Sequence, residues 1–236
     1  MTKIVVSGAE GRMGRRIIEL ARKDPEFEVV GGLEVKANPG LSISGSLNDI
    51  RADYSCIIEF TSPAATLEHL KHAENSGKGM VIGTTGFSEK EFNAIKKASG
   101  SIPVVFSPNM SVCVNLFFGL IRKSAEILGG DYRVRIKETH HTHKKDKPSG
   151  TARVMADIIK EISGKDNAVI ESAREGEVIG EHEIIFESAS DTLRISHNAK
   201  TRDIFALGAL KAAGFIAKKK KGLFSMSDVL GLKAKG

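Results

Sequence analysis

The first half of this sequence alternates between short β-rich runs and segments in which apolar residues recur at helical spacing. The β-rich runs are 3–7, 27–33, 54–60, 80–82 and 102–106. The helical patterns between them are 11–23, 63–76 and 88–98. Strands separated by helices in this rhythm form a parallel sheet that is covered by helices on both faces. The pattern therefore predicts a Rossmann-like, doubly wound α/β domain.

The second half has a different pattern. A long helix is predicted over 111–128, a strand over 132–138 and a helix over 149–162. The predicted strands 183–188 and 192–197 are joined by a three-residue turn, which favours antiparallel pairing. We therefore predict a second, α+β domain with a mixed or antiparallel sheet over about 111–202. A final helix over 202–217 would return to the first domain, which then comprises 1–110 and about 203–236.

Composition limits the classes of function. No run of about 18 apolar residues occurs, so a membrane span is not expected. The two cysteines, Cys56 and Cys113, lie in apolar segments, which suits a reducing compartment, and the cytoplasm is the expected location. The net charge of +6 is concentrated at 144–147 and 218–221 without interleaved aromatic residues. A basic cleft for a small anion is therefore favoured over a nucleic-acid partner.

The link between the first strand and the first helix is rich in glycine. Gly8, Gly11 and Gly14 form a G-x-x-G-x-x-G pattern, a variant of the dinucleotide-binding fingerprint. Glycine allows a tight turn, close approach of a pyrophosphate and close packing of helix on strand. The residues predicted to bind the cofactor here are Gly8, Ala9, Glu10, Gly11, Arg12 and Met13.

Glu34 closes the second predicted strand, twenty residues after Gly14. A carboxylate at this position accepts hydrogen bonds from the adenosine ribose hydroxyls and repels a 2′-phosphate. NADH is therefore the expected cofactor, and Lys36 nearby leaves NADPH possible. The alternative is a glutamate that simply faces solvent at the end of a strand.

Two further loops follow predicted parallel strands, at the sheet edge where ligands of open α/β folds bind. They are expected to hold the nicotinamide half of the cofactor. Their candidate residues are Gly83, Thr84, Thr85, Ser107, Pro108, Asn109 and Met110.

The segment 138–152 concentrates histidine and lysine immediately before a predicted helix. Cationic side chains together with the amides of Gly150 and Thr151 at the helix start would suit a substrate with carboxylate groups. Histidine and lysine are also suitable proton donors for a carbanion-like centre. The alternative is a zinc site formed by His141, His143 and Asp146, with the two histidines on one face of a strand. The spacing lacks the pattern of known zinc motifs, and no metal is expected.

In these motifs the whole chain resembles the bacterial 4-hydroxy-tetrahydrodipicolinate reductase family. The most specific part is the histidine–lysine segment 140–144 followed by Pro-Ser-Gly-Thr-Ala at 148–152. The resemblance also covers the glycine turn and the segments 60–63, 66–69, 83–86, 108–112, 180–182 and 222–224.

The resemblance implies NAD(P)H-dependent reduction of a small dicarboxylate, 4-hydroxy-tetrahydrodipicolinate, to tetrahydrodipicolinate in lysine and diaminopimelate biosynthesis. His140 and Lys144 would be the catalytic acid groups, and His141, Gly150 and Thr151 would bind the substrate. A homotetramer built through the sheet of the second domain is also implied. The sequence departs from relatives at Val35, where arginine is common, at Cys113, where glycine is common, and in a shorter stretch over 169–180.

Two other functions remain open at this stage. A semialdehyde dehydrogenase with a similar cofactor domain would use Cys113 as a thiol nucleophile, activated by its position near a helix start. A nucleotide-sensing protein would keep the Rossmann domain without turnover.

Overall fold

The computed structural model describes residues 1–38, 40 and 42–232. Within these residues the chain forms two compact units, 1–112 with 205–232, and Cys113–Ile204. The strands, numbered along the chain, are β1 (Thr2–Ser7), β2 (Phe27–Leu33), β3 (Ile43–Ser44), β4 (Cys56–Glu59), β5 (Gly79–Ile82), β6 (Pro103–Phe106), β7 (Arg133–His140), β8 (Val169–Arg174), β9 (Glu181–Glu187), β10 (Thr192–Asn198) and β11 (Gly222–Phe224). The helices are α1 (Arg12–Ala21), α2 (Pro63–Ser76), α3 (Glu89–Ala98), α4 (Val112–Leu128), α5 (Gly150–Ser163), α6 (Asp203–Ile216) and α7 (Met226–Val229).

The first unit is built on a parallel sheet with the strand order β11-β6-β5-β4-β1-β2-β3 within the described residues. The chain runs outward from β1 to β3 and then returns to the other side of β1 as β4. The order therefore reverses between β1 and β4, which is where open α/β sheets leave a crevice for ligands. The predicted Rossmann-like fold class is confirmed.

Both faces of this sheet are buried, which explains why its strands read as continuous apolar runs. One face packs on α1 and α6 through side chains that include Ile17 and Ala209. The other face packs on α2 and α3 through side chains that include Leu70 and Ile95. Helix α3 begins with a capping box in which Ser88 and Glu91 satisfy each other's backbone N–H groups.

The second unit contains a mixed sheet with the order β10-β9-β7-β8 within the described residues. Strands β9 and β10 are antiparallel, as the turn between them predicted. Strand β9 is also antiparallel to β7, and β8 is parallel to β7. One face of the sheet packs on α4 and α5 through side chains that include Phe117 and Met155. The predicted α+β architecture with a mixed sheet is thus confirmed.

Several short elements were not predicted from the sequence, among them β3, β8, β11 and α7. Strand β8 was not predicted, because its sequence Val-Ile-Glu-Ser-Ala-Arg carries only one strongly apolar pair and gains its order from pairing with β7. After the final predicted helix, Gly222–Phe224 form β11, which extends the parallel sheet beside β6, and Met226–Val229 form the short helix α7.

Candidate functional site

The glycine turn between β1 and α1 presents backbone amides at the start of a helix. Gly8 has a φ of +72°, a conformation that favours glycine, and its N–H donates to the Leu33 carbonyl at 3.0 Å. A Cβ on Gly14 would lie 2.0 Å from the carbonyl oxygen of Gly8, so another residue would force the helix away from the turn. Gly11 is the N-cap of α1 and offers no side chain to occupy the helix end. This cradle fits a dinucleotide pyrophosphate.

The other residues of the turn differ in exposure. Ala9 is buried and its N–H donates to the Leu33 carbonyl at 3.2 Å. Met13 packs against the core, whereas the Arg12 side chain is exposed. Arg12 is therefore the member of this set whose side chain has room to reach a ligand.

Glu34, directly after β2, is joined to this turn. Its Oε1 accepts a hydrogen bond from the N–H of Glu10 at 2.9 Å, and its Oε2 accepts one from the N–H of Val35 at 3.4 Å. A carboxylate oxygen can accept two hydrogen bonds, and Glu34 is half-buried, so it has acceptor capacity left for a ribose hydroxyl. The structure brings Glu34 and the glycine turn together.

The loop after β5 contributes backbone more than side chains. A Cβ on Gly83 would lie 2.3 Å from the ring of Phe60, so glycine lets the loop pass close to that ring. Thr84 is buried, and its hydroxyl accepts the N–H of Thr61 at 3.1 Å and lies 3.2 Å from the Thr66 hydroxyl. Thr85 is exposed.

The loop after β6 is fixed by its own polar groups. The Ser107 hydroxyl donates to the carbonyl of Asn109 at 2.7 Å, and Asn109 Oδ1 accepts the N–H of Ser111 at 2.9 Å. Pro108 is exposed and Met110 is buried. All the candidate cofactor residues thus follow the carboxyl ends of strands in one unit.

In the second unit, the buried face of β7 passes from apolar to ionisable residues. Val134, Ile136, Glu138 and His140 are buried in alternation, as the two-residue period of a strand requires. Across the sheet, Glu138 lies opposite His182 of β9 and opposite Ser172 of β8. A strand face that begins as core therefore ends as a cluster of ionisable groups.

Glu138 has a fully buried side chain that is satisfied on both oxygens. Arg174 Nη1 donates to Oε1 at 3.0 Å, and Oε2 is hydrogen-bonded to His140 Nδ1. Burial acts to raise the pKa of Glu138, but hydrogen bonds from Ser172, Arg174 and His140 outweigh it and hold the pKa below the usual range. Glu138 is therefore a carboxylate at neutral pH.

His140 is the imidazole that this carboxylate orients. Burial lowers the pKa of His140, although Glu138 acts in the opposite direction. The neutral ring then donates its Nδ1–H to Glu138 and keeps Nε2 for other chemistry. A Cβ on Gly180 would lie 3.0 Å from that Nε2, so glycine at 180 leaves space at the second ring nitrogen.

His182 stands beside His140. The two ring centroids are 5.0 Å apart in an edge-on arrangement, and burial lowers the pKa of His182 to about 3. Ser149, the N-cap of α5, accepts the N–H of Ala152 at 3.2 Å, so its hydroxyl proton is available to His182 Nε2 at 3.3 Å. His182 is therefore a neutral ring that connects the His140 cluster to the start of α5.

The remaining predicted substrate residues lie just after β7. Lys144 Nζ pairs with Asp146 Oδ1 at 2.8 Å, and this hydrogen bond lowers the pKa of Asp146. The Nδ1 of His141 is buried without a hydrogen-bond partner among the described residues. Gly150 and Thr151 form the first turn of α5, where the helix dipole favours an anion. The predicted groups thus belong to one loop and the helix that follows it.

The zinc alternative of the sequence does not match the geometry. Strand β7 ends at His140, so His141 and His143 do not share a strand face. In the described residues, the group with ligand atoms within 4.8 Å of one another is instead Glu138, His140 and His182. There Arg174 and His140 already hold both oxygens of Glu138, and a guanidinium beside the carboxylate disfavours a cation.

Several residues of this site were not assigned a role from the sequence. Alternation along β7 is a local signal that could have identified Glu138 as buried beside His140. The contacts of Arg174 and His182 depend on strand register and had no local signal.

Cys113, the candidate thiol of the dehydrogenase alternative, is exposed in the first turn of α4. Within the described residues, no helix is both long and apolar enough to cross a membrane.

Comparison with known proteins covers the whole chain. Residues 2–110 match the family model "Dihydrodipicolinate reductase, N-terminus", and residues 113–230 match "Dihydrodipicolinate reductase, C-terminus". The chain is 40% identical to 4-hydroxy-tetrahydrodipicolinate reductase of Desulfotalea psychrophila, over 98% of this chain and 99% of the relative. It is also 40% identical to the Nitrosomonas eutropha protein of that name, over 99% of each chain. The dipicolinate-bound dihydrodipicolinate reductase from Paenisporosarcina sp. TG-14 has a similar fold, with a TM-score of 0.83 at 21% identity over 95% of this chain and 97% of that one.

Proposed function

The chain belongs to the dihydrodipicolinate reductase family, and on that basis we propose that it reduces 4-hydroxy-tetrahydrodipicolinate to tetrahydrodipicolinate in lysine and diaminopimelate biosynthesis. NAD(P)H would supply the hydride, and the 4-hydroxyl group would leave as water. The structural observation that carries this proposal is the buried Glu138–His140 pair in the same unit as Lys144 and the start of α5. It combines proton-donating groups with an anion-binding helix end, which reduction of a dicarboxylate ring requires.

The first unit is proposed to bind the cofactor. When bound, the nicotinamide supplies the hydride. The glycine turn would hold the pyrophosphate, and Glu34 would accept hydrogen bonds from the adenosine ribose. The loops 83–85 and 107–110 would contact the nicotinamide half. Because Glu34 would repel a 2′-phosphate and Val35 adds no positive charge, NADH is the proposed preference, with NADPH also accepted.

The second unit is proposed to bind the substrate and deliver the proton. The first turn of α5, with Gly150 and Thr151, and the ring of His141 would hold the carboxylates. Lys144 and His140 would serve as the acid groups. His140 is neutral in the free protein because burial lowers its pKa, but an arriving dianion favours its charged form and raises that pKa. Substrate binding would thereby load the imidazole with the proton that the product needs.

A coupled assay with the synthase that makes the substrate tests this proposal. Oxidation of NADH, and slower oxidation of NADPH, is expected only when the synthase and its substrates are present. Cys113→Ser is expected to keep near-full activity, whereas its complete inactivation would favour the thiol-dependent dehydrogenase. Light scattering of the same preparation tests the homotetramer that family membership suggests. NADH binding without turnover would instead support a nucleotide sensor.

A further inference from the structure

A short segment at the end of β4 touches both loops that flank it. This segment, Glu59–Phe60–Thr61, is called the β4 connector here. The methyl group of Thr61 would lie 3.0 Å from a Cβ on Gly8, and the ring of Phe60 packs on Gly83. The N–H of Thr61 also donates to the hydroxyl of Thr84 at 3.1 Å. The connector is therefore in contact with the glycine turn on one side and the loop 83–85 on the other.

The connector is anchored by a buried ionisable pair. The side chain of Glu59 is fully buried, and His69 on α2 places Nδ1 2.6 Å from its Oε2. The Thr61 hydroxyl donates to Oε1 of the same carboxylate. His69 Nδ1 also lies 3.3 Å from the hydroxyl of Ser7, the last residue of β1 and the register partner of Glu59. One imidazole thus joins the ends of the two strands between which the sheet order reverses.

A buried carboxylate is a costly way to fill the end of a strand. Burying a polar or ionisable group has an unfavourable desolvation energy that a packed apolar side chain avoids. The cost is offset if the carboxylate holds a neighbouring side chain in a position that apolar packing would hold less firmly. What Glu59 fixes is the Thr61 side chain, and through it the spacing of the two loops. Both loops lie at the crevice where open α/β sheets bind ligands.

We propose that His69 and Glu59 are positioning residues for the nicotinamide dinucleotide. Their hydrogen bonds hold the β4 connector so that the glycine turn and the loop 83–85 keep the spacing that the cofactor requires. This inference rests on the proposed function, because it assumes that the first unit binds the dinucleotide. It assigns no contact with the cofactor to either residue.

The test is the affinity for NADH, measured by fluorescence titration of the full chain without substrate. His69→Phe keeps a ring but removes the donor to Glu59, and should weaken NADH binding about tenfold, equal to roughly 1.4 kcal/mol. The KM for NADH should rise in parallel, while kcat at saturating NADH should stay within about threefold, because the loss is in binding rather than in the chemical step. His69→Asn restores an N–H at the place of Nδ1 and should bind NADH within about threefold of the wild type.

A matched control is His72→Phe, since His72 lies on the same helix and is half-buried. It should leave NADH affinity unchanged. Thr61→Val keeps the methyl contact with Gly8, loses the hydrogen bond to Glu59, and should weaken binding about threefold or more. If His69→Phe does not fold, the NADH affinity of Thr61→Val tests the positioning role instead.

Three results would overturn the inference. His69→Phe could fold and bind NADH with wild-type affinity, or His69→Asn could fail to bind NADH near the wild-type level. If His69→Phe does not fold, wild-type NADH affinity in Thr61→Val would also overturn it. Failure of the wild-type protein to bind NADH or NADPH would be a different result, and would remove the proposed function itself.

Discussion

At the scale of single residues, the buried carboxylate of Glu138 sets the orientation of the His140 ring. It accepts the Nδ1–H, fixes the ring, and leaves Nε2 beside Gly180. Arg174 balances the carboxylate's charge from the other side at 3.0 Å. An imidazole oriented by a carboxylate through one nitrogen is suited to exchange a proton at the other.

We predict that His140→Ala and Lys144→Ala each lower kcat by about 100-fold or more, the range expected for a positioned acid group. NADH affinity should be unchanged, because neither residue belongs to the unit that carries the glycine turn. Steady-state kinetics together with NADH titration check both statements. A large loss of NADH affinity in either variant would mean that the roles of the two units have been assigned wrongly.

At the scale of elements, the glycine turn shows how closely a helix can approach the strand before it. The Cα of Gly14 packs against the turn so tightly that a single methyl group would overlap the Gly8 carbonyl. Overpacking of this kind displaces backbone and costs about 1–3 kcal/mol. The displacement would fall on the amides proposed to bind pyrophosphate.

We therefore expect Gly14→Ala to weaken NADH binding by about tenfold or more while the second unit keeps its structure. Gly130→Ala is a suitable control, because a Cβ there meets no atom of the described residues within 4 Å and the glycine does not have a left-handed φ. Titration with NADH and circular dichroism of both variants give the comparison. Equal affinity in Gly14→Ala and wild type would contradict the proposed role of the turn.

The glycine turn and the contacts of Arg174 and His69 show which parts of the structure could be predicted from the sequence. The glycine turn, the strand before it and the helix after it all lie within residues 2–21, so a local pattern predicts them. Arg174 meets Glu138 from 36 positions away, and His69 meets Ser7 from 62. Such contacts depend on strand register and helix placement, which no local spacing encodes. The sequence could therefore suggest roles for residues in 140–151, and the alternation of β7 could have indicated that Glu138 is buried. The contacts of Arg174 and His69 had no such local signal.

At the scale of the whole molecule, the buried histidines His140 and His182 and the half-buried His197 connect the stability of the second unit to pH. Burial lowers the pKa of His182 to about 3, and lowers the pKa values of His140 and His197 as well. Below pH 6.5 an imidazole in the unfolded chain takes up a proton, whereas His182 in the folded protein does not until about pH 3. The unfolded state then binds more protons, so stability must decrease as the pH falls through this window.

The prediction is that the free energy of unfolding decreases between pH 6.5 and 4, with His182 contributing up to about 1.4 kcal/mol per pH unit. His182→Asn should show a smaller decrease over the same interval, even if the variant is less stable at pH 7. Urea unfolding at both pH values measures the two decreases. An equal or larger decrease in His182→Asn would exclude this contribution.

The first unit is assembled from two separate stretches of chain, with the second unit inserted between them. Helices α6 and α7 supply Ala206, Ala209, Ala213, Ile216 and Met226 to the core on one face of the parallel sheet. During synthesis on the ribosome, residues 1–112 emerge first, and until the last stretch has been translated that face is covered by α1 but not by α6 and α7. The second unit has no such delay, because all of its residues are contiguous. The order of folding in the cell is therefore expected to run against the order of the chain, with the middle completed before the beginning.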